Sequence, residues 1–399
     1  MKVNRRTGRG GPGLEAALRQ LAERLRAIGY GPDALRERLG VGQPDDVGLL
    51  NHAPAWERLR ADRSALCSAL RLFYLEGDER LASLRAWLPA REQAALSAAR
   101  LLAVRGSAAR ARLRLDAQGE LYILADRRFG APDQGALGLA RGDMVYPPGG
   151  DSAILAAAVP VRDGERVLDL CTGSGVQALA VAARAAEVVA VDIGARAAAL
   201  ARLNAAFNAA SNIDVRQGDL FAPVRAERFD LVIANPPFVP APRRGPAYHS
   251  GGPRGDRVLR RVVPGLAGHL RPGGRAIIIS HLALRQGEDV AGAITPWLRA
   301  FDGRVLALVL EQGTPVDLAA AQAVFALDDG FRAYAAEVRR WVAYLDRQRI
   351  ARVVLLLIAA ERLGRGAVEV VDAPQRILPL PLSQPPRALI DAWLSRAPA

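Results

Sequence analysis

The sequence predicts an α/β chain, a buried parallel sheet wound by helices from about residue 146 onward, behind a helical N-terminal domain. Three observations predict it. After Gly164, apolar runs too continuous for half-exposed strands alternate with helical patterns, as in sheets buried on both faces. Before that point, apolar residues recur at the three- and four-residue steps of a helix. The 399 residues also exceed one compact core, since domains usually run about 100–200 residues.

Residues 1–13 are basic and Gly-rich and read as a disordered tail; without an apolar core they are no signal peptide. The N-terminal domain is expected over 14–145. Leu14, Leu18, Leu21, Leu25 and Ile28 share one helical face, which Gly29, Gly31 and Pro32 end. Trp56–Leu75 repeats the period through Leu59, Leu66, Leu70 and Phe73, and helical character is expected to about Ser107. Trp56, Trp87 and Trp341 fall in helical patterns and read as core. Ala111–Leu115 and Glu120–Leu124 read as a β-hairpin around Ala117, Gln118 and Gly119. Helices followed by a small hairpin fit a winged-helix-like module and equally a plain helical cap.

The second domain is expected over 146–399. Asp151 or Ser152 either caps a helix at Ala153–Ala158 or serves the active site. Strands follow at Arg166–Leu170, Val188–Val191, Ile213–Arg216, Phe229–Ala234 and Arg275–Ser280, with helices at Val176–Ala185, Ala195–Asn208 and Asp256–Leu270 between them. Arg304–Leu310, Val353–Ala359 and Val368–Val371 add strands, and Pro386–Arg396 a last helix. The stretch 317–350 reads as a helical insertion, placed either to cover the active site or to form a homodimer contact.

The net charge is +13, from 54 basic and 41 acidic residues, and Lys2 is the only lysine. Arg and Ala enrichment together fit a GC-rich coding bias; a polyanionic partner is the competing explanation. Arg243–Arg275 concentrates eight arginines against one acid, Asp256. No run of about 18 apolar residues suggests a membrane span. Cys67 and Cys171 fit no metal spacing, nor do the histidines, so no metal is expected and a reducing cytoplasm is the simplest setting.

The chemistry concentrates at strand ends. Asp169-Leu170-Cys171-Thr172-Gly173-Ser174-Gly175 closes one strand and opens a helix, a turn where glycine lets a ligand approach the backbone. Asp192, followed by Ile193, ends the next strand about twenty residues on, where an acid accepts both ribose hydroxyls of a nucleoside. Asp219, in Gly218-Asp219-Leu220, follows the third strand, where an adenine amino group donates. The turn is not GxGxxG, and three acids suit a cationic nucleoside such as S-adenosyl-L-methionine better than a pyrophosphate. Asn235-Pro236-Pro237-Phe238 ends the Phe229–Ala234 strand. Two prolines stiffen the loop, aiming the Asn235 oxygen at an N–H donor, while Phe238 offers a stacking face. Cys171 reads as a small apolar residue in the turn. His249 and His281 are candidate bases.

On these motifs, residues 165–281 resemble the catalytic domain of HemK-like methyltransferases. Asp169–Gly175 is similar to the family's first motif, with Cys171 where glycine is common; Asp192 matches its ribose acid and Gly218-Asp219-Leu220-Phe221 its adenine-side motif. Asn235-Pro236-Pro237-Phe238 matches its acceptor motif, with Phe for the frequent Tyr, and Gly251-Gly252-Pro253-Arg254-Gly255 and Leu270-Arg271-Pro272-Gly273-Gly274 resemble later landmarks. The resemblance implies a Rossmann-like class I methyltransferase sheet, S-adenosyl-L-methionine as cofactor and S-adenosyl-L-homocysteine as product. It places the cofactor at Asp169, Cys171, Thr172, Gly173, Gly175, Asp192, Ile193, Gly218, Asp219, Leu220 and Asn235. The acceptor then falls against Asn235, Pro236, Pro237 and Phe238, with Tyr146, His249 and Arg254 as further contacts. The region before the domain, Val145-Tyr146-Pro147-Pro148-Gly149-Gly150, departs from the family's Arg-Pro-rich signature. The expected function is methyl transfer to a planar nitrogen of a macromolecule, a protein amide or nucleic-acid base; a small-molecule N- or O-methyltransferase is the alternative. A third possibility is a non-catalytic regulator that binds the cofactor or nucleic acid.

Overall fold

The computed structural model describes residues 12–41, 49–128, 143–240, 251–363, 369–374 and 385–396. The first eleven residues of the basic tail, Arg243, Arg244 and His249 lie outside them. In chain order the elements begin with α1 (Pro12–Ala27), α2 (Pro32–Leu39), α3 (Leu49–Arg60), α4 (Ala65–Ala69) with a π-helical turn at Leu70–Tyr74, β1 (Asp78–Arg80), α5 (Leu81–Arg85), α6 (Ala90–Ala98), β2 (Leu102–Arg105), β3 (Ala108–Ala111), β4 (Arg114–Gln118), β5 (Leu121–Ala125) and α7 (Gly150–Ala158). They continue with β6 (Arg166–Leu170), α8 (Val176–Ala182), β7 (Glu187–Asp192), α9 (Ala195–Phe207), β8 (Ile213–Gln217), β9 (Phe229–Ala234), α10 (Leu259–His269), β10 (Leu270–Arg285) and α11 (Val290–Ile294). The chain ends with β11 (Gly303–Gly313), α12 (Pro315–Ala323), α13 (Phe331–Arg347), β12 (Ile350–Arg362), β13 (Glu369–Pro374) and α14 (Pro386–Leu394).

Two compact units emerge. The first holds Met1–Ala153, Gly173–Ala180 and Ala195–Val215; the second holds Ile154–Thr172, Val181–Gly194 and Arg216–Ala399. In the first, the apolar face of α1 is fully used: Leu18, Leu21 and Leu25 are buried, each such side chain stabilising by about 1.5–3 kcal/mol. The expectation of helix through Ser107 is corrected by a three-stranded antiparallel sheet, β1-β3-β2. Its strands are three or four residues long, and the buried residue of β1 is the charged Glu79, so no apolar alternation marks it. The hairpin forms as β4–β5 with Arg114 opposite Ala125; its first arm starts at Arg114, later than read, because Ala111 ends β3. The free edge of β5 is closed by two amide side chains four residues apart, Asn204 on α9 and Asn208 just past its end. Asn204 bonds both the amide and carbonyl of Leu124 at 2.8 Å, and Asn208 does the same for Tyr122 at 2.9 and 2.7 Å, so α9 completes the ladder as a strand would.

An eight-stranded sheet has the order β13-β11-β12-β10-β9-β6-β7-β8, and every strand but β8 lies wholly in the second unit. Strands β10, β9, β6 and β7 run parallel, as the continuous apolar runs predict. β12 is antiparallel to both β10 and β11, and β13 runs parallel to β11, so the three C-terminal strands extend one edge with mixed sense. β10 starts at Leu270 rather than Arg275: Pro272-Gly273-Gly274 is absorbed as a register shift against β9 between Leu270 and Arg275. Helix α7 begins at Gly150, so Asp151 and Ser152 occupy its first turn rather than precede it. Among the described residues no helix is long and apolar enough to cross a membrane.

Candidate active site

Register brings the motif residues to one level. Leu170 of β6 pairs with Val191 of β7 and with Ala234 of β9, and Ala234 pairs with Ile278 of β10. The next residue on each strand, Cys171, Asp192, Asn235 and Ile279, therefore emerges at the same height, at the carboxyl ends where open α/β sheets hold ligands. The amide of Gly218 donates to the Asp192 carbonyl at 2.8 Å, which brings the Gly218-Asp219 turn to the same edge.

Three carboxylates gather there. Asp169 is fully buried and accepts the Thr172 hydroxyl at 2.5 Å. Asp192 accepts the Gly194 amide at 2.8 Å. Asp219 pairs with Arg261 of α10 at 2.7 Å. Their convergence registers on Cys171, whose thiol is pushed well above its ordinary pKa by desolvation first, then by the charges of Asp192, Asp169 and Asp219, against the opposing pull of Arg261. The turn is tightly wound: Cys171, Gly173 and Gly175 all have positive φ, +59°, +55° and +85°. Glycine takes that conformation freely, so Cys171 carries a backbone cost of about 1–2 kcal/mol. Within the first unit, a Cβ on Gly175 would lie 3.2 Å from the Cα of Ala201, and the Ser174 carbonyl accepts the Asn204 amide at 2.8 Å. Leu220 also has positive φ, and a Cβ on Gly218 would collide with Pro223 at 2.3 Å, so that turn too needs its glycine. Ile193 exposes 61% of its surface beside Asp192, an apolar face left open at the edge.

The Asn235–Phe238 loop is built against a second glycine turn. Pro236 is buried; Asn235, Pro237 and Phe238 are half-buried. The Gly251 amide donates to the Val239 carbonyl at 2.9 Å. A Cβ on Gly255, whose φ is +79°, would lie 2.2 Å from the Phe238 carbonyl oxygen, so backbone rests on backbone and only glycine fits. His281, a candidate base from sequence, lies with its ring 4.4 Å from that of Phe238, tilted 37°. The structure thus brings His281 to the acceptor motif.

Other sequence candidates are committed elsewhere. Arg254 donates to Glu288 at 2.9 Å and to the Ala283 carbonyl, which anchors the second glycine turn to the end of β10. Tyr146 belongs to the first unit; Arg128 lies 5.1 Å over its ring, and burial raises its hydroxyl pKa. The arginine concentration at 243–275 is largely consumed in ion pairs: Arg254 with Glu288, Arg260 with Asp256, Arg261 with Asp219, Arg271 with Asp230, Arg275 with Glu165. Sequence reasoning missed Arg261, whose only signal was membership in that run. Trp341, read as core, is buried, and with Val338 and Val342 of α13 it clusters with Val239 and Phe238; sequence reasoning took 317–350 as a cover or a dimer contact without naming these partners. Their helical periodicity shows an apolar face but not what it covers.

A model of the methyltransferase small domain family matches residues 150–292. The release factor glutamine methyltransferase of Bordetella pertussis (strain Tohama I) is 33% identical over 234 residues, 54% of this chain and 80% of that protein. That of Moorella thermoacetica is 35% identical over 173 residues, 39% of this chain and 59% of that protein. The ribosomal protein uL3 glutamine methyltransferase of Bradyrhizobium diazoefficiens is 40% identical over 126 residues, 28% of this chain and 40% of that protein. Several relatives are thus spanned over about half their length, 49% for the release factor enzyme of Xylella fastidiosa (strain Temecula1). With the Bordetella protein matched over most of its length, the chain belongs to the class I S-adenosylmethionine-dependent methyltransferases of the HemK type.

Proposed function

We propose that this protein transfers the methyl group of S-adenosyl-L-methionine to a planar nitrogen of a macromolecule, foremost a protein side-chain amide. One observation carries the reading: Asn235, on a proline-stiffened loop, emerges level with Cys171 and Asp192 beside a cluster of three acids. The printed names of the relatives, glutamine methyltransferases acting on release factor and on uL3, support an amide acceptor. The ion pairing of the arginine cluster favours it over a nucleic-acid base, since charges already matched contribute little to phosphate binding.

The residues fit the cofactor. Asp169 would hold its amino-acid end, Asp192 its ribose hydroxyls and Asp219 its adenine amino group, and the exposed Ile193 would offer the adenine an apolar face. Gly173, Gly175 and Gly218 admit it close to the backbone, with Cys171, Thr172 and Leu220 completing the wall. When bound, S-adenosyl-L-methionine supplies an electrophilic methyl on a sulfonium and leaves as S-adenosyl-L-homocysteine. Asn235 accepts the acceptor's N–H, which fixes the nitrogen's orientation, and the flanking prolines keep that oxygen aimed. Phe238 holds the planar group by its face. Most of the rate comes from this placement.

The test adds methyl-tritiated S-adenosyl-L-methionine to purified protein and cell extract, then fractionates the label by protease and nuclease sensitivity. Protease-sensitive label is expected, and Asn235→Ala should lower it by at least about 100-fold while the cofactor Kd stays within about threefold. Nuclease-sensitive or low-molecular-weight label would replace the acceptor class, and full activity of Asn235→Ala would overturn the acceptor site.

A further inference from the structure

The family match ends at residue 292, yet the acceptor loop is held by residues well beyond it. Val239, Ala319 and Trp341 form a buried cluster, and Phe238, Val338 and Val342 pack against it. The helical pair α12–α13 thus forms one side of the acceptor loop, while His281 of β10 meets the Phe238 ring itself. The same helix reaches the second glycine turn, where the Tyr344 hydroxyl donates to the Pro253 carbonyl at 2.8 Å. That turn is the one whose Gly255 backbone rests on the Phe238 carbonyl and whose Gly251 amide donates to Val239. Helix α13 is itself fixed: Tyr344 and Leu345 join Ala283 of β10, Leu318 of α12 and Ile350 and Val353 of β12 in a second buried cluster. A Thr314–Asp317 capping box pins the start of α12.

We propose that the α12–α13 pair, carried on the added strands β11 and β12, is the element that selects this protein's methyl acceptor. It does so by fixing the pose of the Asn235–Phe238 loop and walling the approach to Phe238. Residues within 150–292 supply the transfer chemistry, and residues beyond 313 decide what is presented to it. Trp341 and Tyr344 are positioning residues: they act through Val239, Phe238 and the Gly251–Gly255 turn. The proposal rests on the acceptor role of Asn235 and Phe238 argued above.

The test uses the full chain carrying Tyr344→Phe, which deletes one hydrogen bond without a cavity, and Trp341→Leu as a second variant. Two readouts are taken. Amide hydrogen exchange is followed at Gly251, Gly255 and Arg257, whose N–H groups donate to Val239, Gly252 and Gly251. Tyr344→Phe should speed exchange there about three- to tenfold, the share of one net hydrogen bond, with β6–β9 protection and the S-adenosyl-L-methionine Kd unchanged. On the extract fraction labelled by the parent protein, both variants should raise the acceptor KM more than they lower kcat. Unchanged exchange, or a rise spread evenly over the sheet, overturns the proposal, as does an unchanged KM. If the parent labels no fraction, the methyl-transfer reading fails, and the exchange result alone judges the mount on the loop.

Discussion

The interior of the first unit and the strand-end cluster of the second treat charge in opposite ways. In the first, charges come as matched sets. Arg71 and Glu79, both buried, pair at 2.5 Å, with the Ser68 hydroxyl on the second Glu79 oxygen and the Asp62 carbonyl on the guanidinium. Buried Arg114 pairs with Asp116 at 3.0 Å and lies 3.8 Å over the Tyr74 ring. At the sheet ends of the second unit, Asp169, Asp192 and Asp219 gather around one thiol. Asp169 accepts a hydroxyl, Asp192 accepts a backbone amide, and the Arg261–Asp219 pair is about half exposed. In the matched sets each buried charge has its counter-charge at hand, whereas at the strand ends carboxylates gather side by side. Three acids converging on one thiol in a turn at the strand ends make the second cluster the candidate site.

The largest effect expected from breaking the contrast lies in the first unit. Glu79→Gln strands the Arg71 charge, and unfolding by urea should show a loss of about 3–5 kcal/mol, with the cofactor affinity of the folded protein unchanged. A loss below about 1 kcal/mol would make that pair no more structural than a surface one. A smaller effect sharpens the other side. Because burial first, and then the charges of Asp192, Asp169 and Asp219, hold the Cys171 thiol above its ordinary pKa, less thiolate is present at any given pH. Iodoacetamide at pH 8.5 should therefore modify it at least about tenfold more slowly than a free thiol, and removing the Asp192 charge should speed the reaction. An unchanged rate on removal of the Asp192 charge would show that the acids do not act on it.

How far this was legible in the sequence follows the same division. The strands β6 and β9 were read to the residue, since buried parallel strands write themselves as apolar runs between Gly-rich turns. The acids and Asn235 stood out in the sequence because each lies within two residues of the end of such a run. The small β1-β3-β2 sheet was not, since Asp78-Glu79-Arg80 is wholly charged and its inward residue is neutralised by Arg71, a partner eight positions away whose approach no local pattern encodes. Nor was the extended start of β10, because Pro272-Gly273-Gly274 reads as a break and only pairing with β9 shows it to be an irregularity. In the site, the Arg261–Asp219 pair and the packing of α13 on Val239 are separated by 42 and about a hundred residues of chain. Periodicity shows that a face is apolar; tertiary packing alone says which loop it covers.

The central claim is that the three-acid edge binds S-adenosyl-L-methionine, and calorimetric titration of that cofactor into the parent protein and Asp192→Ala tests it most directly. Loss of a carboxylate bonded to two hydroxyls should raise Kd roughly 10- to 100-fold, with the unfolding midpoint of the unliganded protein little changed. Equal Kd values for the two proteins would contradict the assignment of this edge as the cofactor site.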